Sequence, residues 1–227
     1  MTTGADIAAV AALVGDPARA NILSELLGGR ALAAGELARI AGVAPSTASE
    51  HLAKLTEAGL LERVAQGRAR YYRLASPEVA AMLESIITVA ADPDPRPRAA
   101  PRVPSTLKHA RTCYDHIAGE LGVAIADALI ARGAVVLHAD GGELTEAGAA
   151  LLQRLGAGSA DGRSKRPFCR ACLDWSERRP HISGTLGAQL LQRSLDLRWI
   201  NRAPEGRGLT VTPAGRAGYR ELLGIEA

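Results

Sequence analysis

Five prolines within fourteen residues, the run DPDPRPRAAPRVPS from Asp92 to Ser105, constrain this chain more than any other feature. Each proline removes an amide donor and disfavours helix at the residue before it, so the run reads as an extended linker. It separates an N-terminal domain, residues 1–91, from a C-terminal domain, residues 106–227, each long enough to bury its own core. With only one Phe, two Trp and four Tyr, those cores must consist mostly of Leu, Ala, Val and Ile, which suits closely packed helices. The expected fold class is mainly α with short β-hairpins.

In the first domain the spacing predicts a helix from Ile7 to Val14. A second begins at Asp16-Pro17, Asp as N-cap and Pro in the first turn, and closes at Gly28-Gly29. A third runs over Ala34 to Ile40, ended by Gly42. The turn Val43-Ala44-Pro45 leads to Ser46, read as the cap of a fourth helix whose Ala48, Leu52 and Leu55 share one face. Leu60–Val64 and Ala69–Leu74 read as strands reversing at Gln66-Gly67-Arg68. Pro77 to Val89 closes the domain as a helix.

Helix, short turn, helix, hairpin is the order of a winged helix-turn-helix, whose second helix presents its first turns to base edges. That helix here offers Ser46, Thr47, Ser49 and Glu50, with His51 and Lys54 further along; Arg63, Arg68 and Arg70 lie on the hairpin. Short hydroxyls can approach phosphates or bases closely, Lys54 suits a phosphate, and hairpin arginines suit a minor groove or its walls. Glu50 is awkward beside phosphates unless it accepts from a cytosine amino group. Overall charge does not single out this domain: residues 1–91 carry 8 Lys/Arg against 9 Asp/Glu, and residues 92–227 carry 19 against 15.

The second domain contains an internal repeat. His116-Ile117-Ala118-Gly119-Glu120-Leu121-Gly122 matches His181-Ile182-Ser183-Gly184-Thr185-Leu186-Gly187. A Cys-x-Asp lies upstream of each, at Cys113/Asp115 and Cys172/Asp174. A Thr-x-Ala-Gly helix start lies downstream of each, at Thr145 and Thr212. The pattern predicts two related helix–hairpin–helix units: Leu121–Ala131, Val135–Leu144 and Glu146–Leu155, then Leu186–Leu195, Trp199–Val211 and Ala214–Leu223.

All three cysteines fall in this half. Cys169 and Cys172 form a C-x2-C pair that can point two thiolates at one ion. His116, three residues after Cys113, is placed on a helical face with it, and His181 is its repeat equivalent. Cys113, His116, Cys169, Cys172 and His181 therefore make a candidate sensing site. Three thiolates with a histidine suit zinc, and the thiolates alone suit a softer metal or arsenical. An oxidation switch between Cys169 and Cys172, or a purely structural role in packing or dimerisation, remains open. Asp115, His116, Asp174, Glu177 and His181 would furnish acid–base groups for an enzyme, but no Gly-rich phosphate loop, G-x-S-x-G or H-E-x-x-H accompanies them. No uncharged apolar stretch is long enough to span a membrane, and MTTGADIAAV does not read as a signal peptide; a cytoplasmic protein is expected.

The runs GDPARANILSELLGG and GELARIAGVAPSTASEHLAKLTEAGLLERVAQGRARYYRLA resemble the ArsR family of winged helix-turn-helix repressors. RTCYDHIAGELGVAIADAL and CLDWSERRPHISGTLGAQLL resemble a long-chain subgroup with an additional C-terminal domain. The resemblance implies a homodimer that occupies a pseudo-palindromic double-stranded operator and leaves it on a signal. It places Ser46, Thr47, Ser49 and His51 on the recognition helix and Gly67 to Arg70 on the wing. Two sensor sites of metal-responsive relatives are missing: residues 35–39 contain no cysteine, and residues 78–90 contain no histidine. Sensing is therefore expected beyond the linker.

Overall fold

Asp16 fixes the start of the second helix by accepting from the Arg19 amide at 2.9 Å, with Pro17 in the first helical position. A computed structural model describes residues 3–66, 69–90, 105–138, 141–156 and 167–227. These form two compact units, Met1–Ile86 and Ile87–Ala227. Most of the Pro-rich run lies outside the described residues.

The N-terminal unit opens with α1 (Gly4–Val14) and α2 (Pro17–Leu26). Arg19 joins three helices: it donates to the carbonyls of Leu13 and Ala12 at the end of α1, and its guanidinium lies 3.3 Å from Nδ1 of His51. Then follow β1 (Leu32–Ala33), α3 (Ala34–Ala41) and α4 (Pro45–Glu57), the helix that contains His51. Gly42 ends α3 at φ +67, a conformation that costs glycine little. The α4 start differs from expectation. Ala44 is the N-cap, Pro45 takes the first position, and Ser46 sits inside the first turn without capping it. Proline has no amide to satisfy and its φ is already helical, so it wins that place.

Strands β2 (Leu61–Gln66) and β3 (Ala69–Leu74) form an antiparallel ribbon in register Leu61↔Leu74 through Gln66↔Ala69, and β1 adds to β3. A last helix, α5, spans Pro77–Ala90. Ile22, Leu23, Leu26, Leu37, Ala48, Leu52, Leu55, Leu61 and Leu74 are buried and make the core. Each such Leu contributes about 1.5–3 kcal/mol.

The C-terminal unit has the predicted helices and hairpins, and an additional hairpin stands in front of the first helix of each repeat. A short helix α6 (Ser105–His109) and a hairpin, β4 (Arg111–Cys113) and β5 (His116–Ala118), precede α7 (Glu120–Ala131). The predicted hairpin is β6 (Val135–Leu137) and β7 (Gly142–Leu144), followed by α8 (Glu146–Leu155). The second repeat has hairpin β8 (Arg170–Leu173) and β9 (Pro180–Ser183), α9 (Gly184–Asp196), β10 (Ile200–Arg202), β11 (Leu209–Val211) and α10 (Pro213–Leu223). Thr145 and Thr212 cap α8 and α10 by accepting from Gly148 and Gly215.

The repeats interlock: α7 packs on β9, and α9 packs on β5. Gly187 makes room for this, since a Cβ there would lie 2.9 Å from the His116 Cβ of the other repeat's hairpin. Repeated glycines also shape the turn from hairpin to helix within each repeat. Gly119 and Gly184 both sit at φ +82 where hairpin becomes helix. One turn on, a Cβ on Gly122 would lie 2.4 Å from the Ile117 carbonyl oxygen, and one on Gly187 would lie 2.4 Å from that of Ile182. Among the described residues, no helix is long and apolar enough to cross a membrane.

Candidate nucleic-acid interface and candidate metal centre

Pro45 and the inward face of Ala48, Leu52 and Leu55 orient α4 so that its polar side points to solvent. Ser46, Thr47, Ser49, Glu50 and Lys54 are exposed there. The Ser49 hydroxyl donates to the Pro45 carbonyl at 2.9 Å. His51 is half-buried against Arg19, so it braces the helix from inside as well as belonging to the predicted reading set.

On the ribbon, the register Arg63↔Tyr72 and Ala65↔Arg70 puts Arg63 and Arg70 on one face, both exposed. Arg73 lies on the other face and pairs with Glu62 across the strands. Gly67 and Arg68 lie outside the described residues. The ribbon thus presents two arginines side by side, and their guanidiniums suit phosphate oxygens.

In the C-terminal unit the hairpins bring four distant ligand atoms together. Cys113 and His116 are cross-strand partners in one, and Cys172 and His181 are cross-strand partners in the other. The shared helical face expected for Cys113 and His116 is therefore replaced by a two-residue reversal, with Tyr114 at φ +58. Sulfur atoms of Cys113 and Cys172 lie 3.9 Å apart, and the Nε2 atoms of His116 and His181 lie 3.1 Å apart. Candidate ligand atoms from all four residues fall within 4.8 Å of one another.

Cys169 is not part of this group. On extended chain, residues three apart point to opposite faces, so the C-x2-C pair is split. Cys169 faces the hydrophobic core beside Gly142, and burial pushes its thiol up to about 11. That removes both the paired-thiolate reading of Cys169 with Cys172 and the three-thiolate set.

Cys172 differs. The Cys113 thiol beside it, followed by the imidazoles of His116 and His181, outweighs burial and holds its thiol far below the ordinary range. Burial opposes charge on His181, but Asp174 and Cys172 prevail and raise it to about 9. The Nδ1 of His181 is 3.2 Å from Asp174 Oδ2, and the Nδ1 of His116 is 3.3 Å from Asp115 Oδ1.

Asp174 itself is wholly buried. It accepts from the Gly119 amide and from Arg111, both at 2.7 Å, and from Ser176. Burial would raise its carboxyl, but His181 and Arg111 hold it well below the usual carboxylate range. Arg111 is equally buried and lies 4.3 Å above the Trp175 ring. The repeated Cys-x-Asp was the sequence signal for these supporting carboxylates; Arg111 and Trp175 had none.

Residues 14–64 match a family described as a helix-turn-helix domain. The chain is 40% identical over 222 residues to the uncharacterized HTH-type transcriptional regulator YdfF of Bacillus subtilis, covering 97% of this chain and 98% of that protein. Solved structures with similarity include HlyU from Vibrio cholerae, 30% identical over 37% of this chain and 91% of that one, TM-score 0.35. The winged helix-turn-helix domain of Mb0332 from Mycobacterium bovis is 32% identical over 39% of this chain and 80% of that one, TM-score 0.35. The fold, the helix-turn-helix family match and the similarity to YdfF define a winged helix-turn-helix DNA-binding transcriptional regulator, a class that acts by binding and not by turnover. The chain belongs to the family of HTH-type transcriptional regulators to which YdfF is assigned.

Proposed function

We propose that this regulator is an ArsR-type cytoplasmic repressor that occupies a pseudo-palindromic operator as a homodimer and leaves it when an effector reaches the C-terminal unit. The observation that carries the DNA reading is the exposed first turns of α4, with Ser46, Thr47, Ser49 and Glu50, in the same unit as the Arg63/Arg70 face of the ribbon. Two such helices bound one helical turn apart would read two half-sites. The homodimer is supported by α1, which is apolar except for Asp6 yet has no buried residue, Ile7 being 69% exposed. An apolar helix left uncovered in one chain is readily covered by its counterpart in a second. The effector reading is supported by the Cys/His cluster, the densest group of ligand atoms among the described residues.

Footprinting on the promoter of its own gene, together with light scattering of the protein–DNA complex, tests this. The expected result is one protected site with two symmetric half-sites and two chains per duplex. Equal weak binding to every fragment, or one chain per site, would overturn it.

A further inference from the structure

We infer that Cys113, His116, Cys172 and His181 hold a single tetrahedral divalent ion of zinc character, which ties the two repeats to each other. This names the ligand of the effector site proposed above and rests on that reading for its regulatory meaning. Bond lengths of roughly 2.3 Å to sulfur and 2.0 Å to nitrogen put tetrahedral donors about 3.8 Å and about 3.3 Å apart. The sulfurs are 3.9 Å apart and the ring nitrogens 3.1 Å apart. All four donors lie within 4.8 Å, room for one ion and not for a cluster.

The chemistry of the donors agrees. Two thiolates neutralise a divalent cation, and two imidazoles add no charge, so the filled site is neutral where Cys113, His116 and His181 are buried. Asp115 behind His116 and Asp174 behind His181 favour a proton on each Nδ1 and turn each Nε2 lone pair inward. At 3.1 Å the two Nε2 atoms share a proton when no metal is bound, and a bound cation takes the place of that proton. Two sulfurs and two nitrogens select a borderline ion over magnesium or calcium. A trivalent arsenical needs a third thiolate, and the remaining cysteine, Cys169, faces the core. All four positions are taken by protein, as in a closed structural site and unlike a catalytic one. Since each repeat supplies one cross-strand Cys–His pair, neither repeat forms the site alone.

The test uses the full-length reduced protein. Elemental analysis should find one zinc per chain. Cobalt(II) added to zinc-free protein should give the intense visible absorption of a tetrahedral thiolate site, lost on adding zinc. Cys172→Ser should abolish that spectrum, and Cys169→Ser should leave it unchanged. Asp115→Asn, at a half-exposed position, should weaken zinc binding about 10–100-fold with the fold intact by circular dichroism. Weak octahedral cobalt absorption, zinc binding lost in Cys169→Ser, or a reduced protein that takes up no zinc would overturn the inference. Operator binding is measured separately with and without zinc. One tightly bound zinc with unchanged operator affinity upholds the inference and defeats the effector reading. A response to some other signal by protein that takes up no zinc does the reverse.

Discussion

His116 and His181 bring their Nε2 atoms to 3.1 Å across 65 positions of sequence. Each stands across a strand pair from a cysteine, and each has the carboxylate of its own Cys-x-Asp at its other ring nitrogen. The meeting follows from the interlocked repeats, in which each long helix packs on the other repeat's hairpin. A duplicated sequence has thus brought two Cys–His pairs together into one candidate site.

The arginine face of the ribbon gives the first prediction. Arg63→Ala and Arg70→Ala should weaken binding to specific and random duplexes alike. Each should lower the slope of log affinity against log salt by about 1, as expected for a lost phosphate contact. Anisotropy titrations at several salt concentrations measure this. An unchanged slope in the double variant would place the DNA elsewhere.

Substitutions at the start of α4 should behave differently. Thr47→Ala and Ser46→Ala should change preference among operator variants by about 1–3 kcal/mol while leaving random-DNA affinity and the salt slope nearly intact. Competition binding against single-base variants of the operator reads the effect. A uniform loss over all sequences would make these hydroxyls phosphate contacts only.

Gly122→Ala and Gly187→Ala should each destabilise the C-terminal unit by about 1–3 kcal/mol, because the new methyl meets a carbonyl oxygen at 2.4 Å. Thermal unfolding by circular dichroism should show the loss. Wild-type melting in Gly187→Ala would mean that α9 need not approach its hairpin so closely.

Tyr219 supplies a pH prediction. Its hydroxyl donates to Ser194 Oγ at 2.8 Å, and burial raises it from 10.0 to about 12. The folded state therefore keeps this proton after the unfolded state has lost it. Its stabilising contribution is complete below pH 10 and is lost as pH rises to about 12. Tyr219→Phe should cost about 0.5–1.5 kcal/mol at neutral pH. It should also lose less stability than wild type between pH 10 and pH 12 in urea unfolding. Parallel losses in the two proteins would refute the buried, protonated phenol.

The sequence by itself determined the elements whose signals are local. Asp16-Pro17 and the Thr145 and Thr212 caps act within one turn, and the period of Ala48, Leu52 and Leu55 needs only a helix to one side of which they point. The repeat was legible because both copies keep the same glycines, which the close approach of helix to hairpin demands at Gly122 and Gly187. Tertiary structure alone decided which candidate ligands meet. A C-x2-C spacing looks like a pair only if the backbone turns; in the extended backbone of β8 and the residue before it, the two side chains point apart, and Cys169 goes to the core. Cys113 and His116 are three apart, a spacing that suits a helix equally well, until the reversal at Tyr114 makes them strand partners. The buried Arg111–Asp174 pair joins residues 63 positions apart, and no local periodicity encodes an ion pair made when two separate hairpins pack together.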